Sequence, residues 1–306
     1  MNISVCICTF RRPALLAALL DVVGAQDLGM LNAQVELIVV DNDPAHSARL
    51  VLQAWNAPAG FTLHFVHVPE ANISVARNTA VNKATGEWIA LVDDDETPAA
   101  DWLLRLLETQ RRFNADAVFA PVVPLYLPGM PLWLQQGGYF DRTRFVTGTP
   151  IDDRDARTGN VLIRAERLKS ISGPFDVSFG RTGGEDSLLF RDLLAQGCTF
   201  VWCDEAPVSE AVPLERANAN WLLRRSFRVG QTWIRTELHR MPAPVKRVKG
   251  IVLALRSAIQ LIASIVILIC VLPISRTKSF HWARIAMMQI GRLTGMTRFQ
   301  YKEYGA

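Results

Sequence analysis

The chain opens on a short apolar run, Ile3 to Cys8, that stops at Thr9-Phe10-Arg11-Arg12-Pro13, and a helical stretch from Ala14 to Val23 follows. The alternation returns three times. Val35 to Val40 ends in Asp41-Asn42-Asp43-Pro44 before a helical stretch reaching about Trp55. Leu63 to Val68 precedes helical composition over Ser74 to Ala84, and Trp88 to Val92 ends in Asp93-Asp94-Asp95 before an amphipathic helix over Ala99 to Phe113. Buried-strand runs alternating with helices across short loops predict a mostly parallel sheet covered on both faces, an α/β fold. A chain of 306 residues is long enough to bury such a sheet.

In a sheet of this kind ligands sit beyond the carboxyl ends of the strands. Three predicted strands end there in polar clusters, at Thr9-Phe10-Arg11, Asp41-Asn42-Asp43 and Asp93-Asp94-Asp95. Strand termination and helix capping explain any one of them; three on the ligand side point to a site. Carboxylates crowded as at Asp93 to Asp95 raise one another's pKa unless a cation neutralises them. Oxygen ligands suit Mg²⁺ or Mn²⁺, which would offset charge on a departing diphosphate. Glu185-Asp186 follows the Gly-rich turn Gly180-Arg181-Thr182-Gly183-Gly184. Acids at a helix start favour the helix dipole, and beside a metal-diphosphate one of them could take a proton from an attacking hydroxyl.

From Ala117 the pattern changes to Pro- and Gly-rich loops with aromatics at Trp133, Tyr139 and Phe140, a smaller acceptor-side subdomain; Gly159 to Arg164 reads as a strand re-entering the sheet. Packing explains Trp133, Tyr139 and Trp221 better than sugar stacking. The five histidines and five cysteines show no metal-site spacing, so a reduced, cytoplasmic chain is expected, and no secretory signal is read at the N-terminus.

The net charge of +4 conceals two chemistries: residues 221–306 hold 15 Lys/Arg against two acids, whereas residues 1–220 hold 18 against 27. A basic tail suggests an anionic partner, nucleic acid or a membrane surface. Within it, Ser257 to Ile274 carries no charge and is flanked by Lys246, Arg247, Lys249 and Arg256 on one side and Arg276 and Lys278 on the other. As a helix it is about 27 Å long, marginal for spanning. Spanning would also place Arg284, Arg292, Arg298 and Lys302 outside, against the positive-inside tendency. The expectation is a re-entrant or interfacial segment followed by an in-plane amphipathic helix around Trp282 to Leu293.

Cys8-Thr9-Phe10-Arg11-Arg12-Pro13, Val39-Val40-Asp41-Asn42-Asp43, Asn72-Ile73-Ser74-Val75-Ala76-Arg77-Asn78, Leu91-Val92-Asp93-Asp94-Asp95-Glu96 and Gly183-Gly184-Glu185-Asp186 together resemble the family 2 glycosyltransferases of GT-A fold. Within that family the likeness is to bacterial glucosyltransferases that build succinoglycan-type exopolysaccharide repeat units, and it covers about residues 1–235. The resemblance implies inverting transfer of a hexose, glucose, from a UDP-sugar donor to an undecaprenyl-diphosphate-linked or other glycan acceptor at the cytoplasmic face of the bacterial inner membrane. Thr9 and Arg11 would line the nucleotide pocket, Asp41 would accept the uracil N–H, and Arg77 would steady the uridine or diphosphate. Asp93 would hold the ribose or reach the metal through water, with Asp94 beside it in the donor site, and Asp95 would ligate Mg²⁺ or Mn²⁺. Asp186 would be the general base, with Glu185 orienting the acceptor or sharing that role.

Processive relatives carry a Gln-x-x-Arg-Trp segment, whereas this chain reads Trp221-Leu222-Leu223-Arg224-Arg225-Ser226-Phe227-Arg228, which implies addition of a single sugar. Arg224, Arg225 and Arg228 could face a diphosphate or form a solvated face. The expected organisation is a nucleotide-sugar half over 1–115, an acceptor and catalytic half over 116–235, and a membrane-associating region over 236–306. Two other readings are a nucleotidyltransferase, which would normally open with a Gly-rich loop absent from Cys8 to Pro13, and a basic-tailed nucleic-acid-binding protein, whose tail matches no such motif.

Overall fold

The computed structural model describes residues 1–27, 33–297, 299 and 301; Arg298 and Lys302 of the basic tail lie outside the described residues. The first half follows the expected alternation, as β1 (Asn2–Thr9), α1 (Pro13–Gly24), β2 (Gln34–Asp41), α2 (Arg49–Ala54), β3 (Phe61–His67), α3 (Ile73–Lys83), β4 (Trp88–Asp93), β5 (Glu96–Pro98) and α4 (Trp102–Phe113). The second half supplies β6 (Ala117–Phe119), β7 (Val122–Leu125), α5 (Leu132–Gln136), β8 (Asn160–Arg164), α6 (Ala165–Lys169), α7 (Glu185–Ala195), β9 (Phe200–Trp202) and β10 (Val208–Ala211). Three long helices close the chain: α8 (Ala219–Leu238), α9 (Ala243–Val271) and α10 (Arg276–Thr294).

Seven strands form one sheet in the order β3-β2-β1-β4-β8-β6-β9. All pair in parallel except β8, which runs antiparallel to both β4 and β6. Successive side chains of a strand face opposite ways, and β1 divides accordingly. Ile3, Val5 and Ile7 join Leu16, Leu20 and Trp102 on one face, whereas Cys6 joins Ala76, Ala80 and Leu189 on the other. Asn160 fastens the re-entering strand: it accepts from Trp102 Nε1 at 2.8 Å and donates to the carbonyls of Pro121 and Ala206 at 2.9 and 2.8 Å. A three-stranded sheet, β5-β10-β7, has no counterpart in the sequence-based expectation. Its strands are three or four residues long, too short for a legible period.

The tail differs from expectation in two ways. The uncharged stretch is only part of α9, which runs unbroken for 29 residues, is long and apolar enough to cross a membrane and takes Lys246, Arg247 and Lys249 into its first two turns. Around Trp282 to Leu293 the chain forms α10, which is not a free in-plane helix: it is wedged between α9 and α8, with Ser279, Ala286, Gln289 and Gly291 buried. The approach is glycine-dependent. A Cβ on Gly230 would collide with the Met288 carbonyl, and one on Gly291 with the Phe227 carbonyl. Replacing Gly291 by Ala should therefore cost about 1–3 kcal/mol through overpacking, read as a lowered Tm, while Gly250→Ala, a helical position where a Cβ meets only Leu238 Cδ1 at 3.9 Å, is the control for glycine substitution as such.

Candidate active site

A cavity of about 440 Å³ opens at the carboxyl ends of β1 and β4. Asp93, Asp94, Asp95, Arg12 and Arg77 form its sheet side; Arg142, Glu210, Arg216, Arg225 and Arg228 form the opposite side, with Trp221. β1 and β4 are neighbours whose register sets Cys8 beside Asp93, so the loops leaving both strands share one rim.

Arg12 organises that rim. Its Nη1 donates to Asp94 at 2.9 Å and to Asp95 at 2.7 Å, while Thr9 Oγ1 donates to the other oxygen of Asp94 at 2.8 Å. Burial pushes Asp94 up to about 6 against these stabilising contacts. Arg11, expected in the nucleotide pocket, is not on the cavity wall: at φ 58° it turns away to bond Asp43 at 3.1 Å, leaving its neighbour to face the acids. In a strand-to-helix turn, sequence alone cannot fix which of two adjacent arginines points inward.

Asp41 departs from its expected place for a similar reason. It is fully buried at the end of β2, and its two oxygens accept from the backbone N–H groups of Asp43 at 3.0 Å and Ala48 at 2.9 Å, so it holds the loop and does not line the cavity. The next residue does. Asn42 is on the wall with its buried Oδ1 unpartnered among the described residues.

Arg77 is presented by α3, whose first turn is fixed by Asn72 accepting from the N–H groups of Ser74 and Val75. Its Nη1 donates to Glu185 at 2.6 Å and its Nη2 to Asp93 at 3.2 Å, joining β4 to the start of α7. The Asp93 side chain is still 44 % exposed, and its own N–H is held by buried Glu96 at 2.9 Å. Glu96 is a site residue the sequence reading left without a role. Glu185 and Asp186 open α7 as expected but differ in setting. Glu185 is buried with Oε2 unpartnered among the described residues, and burial pushes it up to about 7. Asp186 is half-buried and accepts from the Ser187 N–H at 2.7 Å; neither acid is itself on the cavity wall, which this turn reaches through Arg77. Gly183 and Gly184 at φ 80° and 106° make the turn that delivers them, a conformation other residues resist.

On the opposite side Arg225 and Arg228 line the cavity, whereas Arg224 does not. Trp221 stacks on Phe140 at 5.8 Å and reaches the cavity; Trp133 and Tyr139 are packed with Phe280, as the packing reading predicts. Glu210 lies 3.2 Å from Arg142 and 3.5 Å from Arg216. All five cysteines are free.

Asp93 and Asp95 are hard oxygen donors at the cavity edge and fit Mg²⁺ or Mn²⁺. No group of three potential His, Cys, Asp or Glu ligands occurs among the described residues, so the donor set suits a cation shared with a phosphate-bearing ligand rather than one caged by protein alone.

A mostly parallel sheet with a carboxylate- and arginine-lined cavity at its strand ends is the GT-A plan of a glycosyltransferase. The chain belongs to glycosyl transferase family 2, whose model matches residues 4–165. It is 37 % identical over 236 residues to the succinoglycan biosynthesis protein ExoM of Rhizobium meliloti, covering 76 % of this chain and 74 % of that one. Similar solved structures include the mannosyltransferase PcManGT from Pyrobaculum calidifontis in complex with GDP-Man and Mn²⁺, at TM-score 0.63 and 18 % identity over 96 % of this chain and 86 % of that one. S. aureus TarS 1-349 in complex with UDP gives TM-score 0.55 at 15 % identity, over 96 % and 91 %. The protein is an enzyme of the glycosyltransferase class, and its family selects glycosyl transfer over nucleotidyl transfer.

The Glu185 environment has a measurable consequence. Its pKa rises from 4.5 to about 7 on folding, so across that interval the folded chain keeps a proton that the unfolded chain has released. The resulting stability is full below pH 4.5 and is lost as pH rises through 7. Glu185→Gln cannot titrate, so urea denaturation should show the parent losing stability relative to E185Q as pH rises from 4.5 to 7; parallel profiles would refute a proton held there.

Proposed function

We propose that the enzyme transfers one hexose, glucose, from a UDP-sugar to a hydroxyl of an undecaprenyl-diphosphate-linked or other glycan acceptor, with inversion, in exopolysaccharide or cell-surface glycan synthesis. The observation that carries this reading is Arg77 held between Asp93 and Glu185 at the cavity wall, which sets a cation for the diphosphate between the strand-tip acids and the start of α7. The identity to a succinoglycan biosynthesis protein supports the pathway class.

In this reading residues 1–115 bind the donor, residues 116–235 bind the acceptor and complete the site, and residues 236–306 associate with the membrane. Asn42 Oδ1 takes the uracil N–H in place of Asp41, since it lacks a protein partner at the cavity wall. Thr9 and Arg12 hold Asp94 and Asp95 in place, Asp93 reaches the ribose or the cation, and Asp95 is a direct ligand of Mg²⁺ or Mn²⁺. That cation, when bound, offsets the charge growing on the diphosphate. Asp186 takes the proton of the acceptor hydroxyl as its oxygen attacks the anomeric carbon and the bond to the diphosphate breaks, so UDP leaves and the anomeric configuration inverts. Glu185 fixes Arg77 and, through it, Asp93.

The layering of α9 supports an interfacial location. Leu253, Ser257 and Ser264 are buried, while Ile251, Leu255, Ile259, Ile262 and Ile269 are exposed. If α9 crossed the bilayer, α10 alongside it would carry Arg284 and Arg292 into hydrocarbon, which is costly. We therefore place α9 flat at the membrane interface on the cytoplasmic side, with its apolar face in the headgroup and acyl boundary.

UDP release is the direct assay. With UDP-glucose, Mn²⁺ and a lipid-extract acceptor the parent should turn over. Asp186→Asn should lose about 10²–10⁴-fold in kcat, and Asp95→Ala should lose the dependence on added Mn²⁺ together with most activity. Absence of turnover with every UDP-sugar tried would overturn the reading; full activity of D95A would remove the metal assignment.

A further inference from the structure

A second cavity, of about 630 Å³, lies outside the catalytic cleft where the end of α8, the start of α9 and the turn after α10 meet Ser178 and Phe179. Its lining mixes two chemistries: Arg235, His239, Lys246 and Arg247 are interleaved with Leu238, Ile251, Ala254 and Met296. Lys246 and Arg247 are exposed and form no ion pair with any described acid. The nearby acids are already engaged: Asp176 by His239 at 2.9 Å and Arg240 at 3.5 Å, and Glu237 by Arg191 at 2.9 Å and Lys249 at 2.8 Å. Ile251 also belongs to the exposed apolar face of α9, so the mouth of the cavity joins that face.

We propose that this cavity binds the headgroup phosphate of an anionic bilayer phospholipid, and that its occupancy steadies the loop carrying Glu185 and Asp186. Two unpaired cations beside an apolar wall match a phosphodiester joined to acyl chains, with the phosphate at Lys246, Arg247 and Arg235 and the first acyl carbons along Leu238, Ile251, Ala254 and Met296. That the ligand comes from a bilayer rests on the interfacial placement of α9.

The back wall of the cavity reaches the active site. Arg235 stacks on Phe179 at 4.5 Å, donates from Nη1 to Thr182 Oγ1 at 2.6 Å, and donates from Nη2 to the Ser178 carbonyl at 3.4 Å. Thr232 Oγ1 donates to the Thr182 carbonyl at 3.2 Å. Thr182 directly precedes the two glycines that deliver Glu185, and Gly184 is enclosed by Thr232, Thr236 and Phe179. A phosphate drawn to Arg235 therefore restrains the guanidinium that holds this turn, and the turn is the part of the site whose glycine backbone gives it most freedom.

The test uses the full chain titrated with dihexanoyl phosphatidylglycerol below its micelle concentration, alongside dihexanoyl phosphatidylcholine and glycerol phosphate, with amide hydrogen exchange read over residues 182–186. Phosphatidylglycerol should bind saturably and slow exchange at those amides, and the other two ligands should bind at least tenfold more weakly. Lys246→Gln with Arg247→Gln should weaken binding roughly 30-fold, from about fivefold for each cation, and Ala254→Trp, which fills the apolar side without changing charge, should abolish it. No saturable binding, undiminished binding by both variants, or exchange at 182–186 unchanged on saturation would overturn the proposal. Equal binding of glycerol phosphate would overturn the lipid assignment. Co-sedimentation with phosphatidylglycerol vesicles tests the membrane reading separately: vesicle binding without monomer binding refutes this cavity alone, and monomer binding without vesicle binding refutes only the interfacial placement of α9.

Discussion

Arg77 is the joint on which the geometry of the candidate site depends. It projects from α3, yet the two carboxylates it holds lie 16 and 108 positions further along the chain, one at the tip of β4 and one at the start of α7. Each acid alone is expensive in its position: Glu185 is buried and Asp93 is one of three consecutive aspartates. The guanidinium offsets both costs at once, and its planar fork allows two acids to be met in defined directions. A lysine would supply the charge without the two-way geometry. The surrounding sequence serves this placement. Asn72 starts α3 in the right direction, and Asn78 bonds the Phe175 backbone in both directions, at 2.8 and 2.9 Å, locking α3 to the segment that leads into the glycine turn.

Arg12 does for Asp94 and Asp95 what Arg77 does for Asp93 and Glu185, and the pair shows why three adjacent acids can be tolerated at one strand tip. Asp94 turns inward to Thr9 and Arg12, Asp95 shares Arg12, and Asp93 leans to Arg77 while keeping much of its surface open. The charge of the three strand-tip aspartates is therefore partly compensated locally. What remains available to a ligand is the exposed part of Asp93 and Asp95 opposite a wall of arginines, an arrangement that suits a diphosphate with its cation.

The runs of β1, β2 and β4 were legible because burial on both faces leaves little choice of residue; these three and the half-exposed edge strand β3 lie within a residue or two of where their composition places them. The positions of the acidic clusters followed from strand ends. Which side chain of a cluster faces the ligand did not, because a single turn decides it: Arg11 against Arg12, and Asp41 against Asn42. The one available signal at Asp41 was its place before Asn-Asp-Pro, a pattern in which an aspartate commonly accepts from the backbone of its own turn. The small sheet β5-β10-β7 was hidden for another reason. Its strands are brief and pair between distant parts of the chain, with Val208 beside both Pro98 and Val122, so no local pattern encodes it.

The tail shows the same limit in a form that bears on mechanism. Hydropathy identifies an apolar helix, but the two glycine contacts between α8 and α10 decide what that helix can do. Because Gly230 and Gly291 let the backbones meet, α10 is bound to α8, a helix that also carries Trp221, Arg225 and Arg228 into the catalytic cavity. α9 then lies along α10 as the outer layer, with its large apolar side chains turned away from the body. A surface that lies against α9 is thus connected through α10 to a wall of the catalytic cleft by packed helices rather than by a flexible linker. Packed interfaces shift between discrete arrangements more readily than they deform continuously, so contact at the apolar face and order in the cleft are mechanically joined. A tethered enzyme would gain only proximity from a membrane; with α9 on a membrane as proposed, the α8–α10–α9 stack would supply orientation as well.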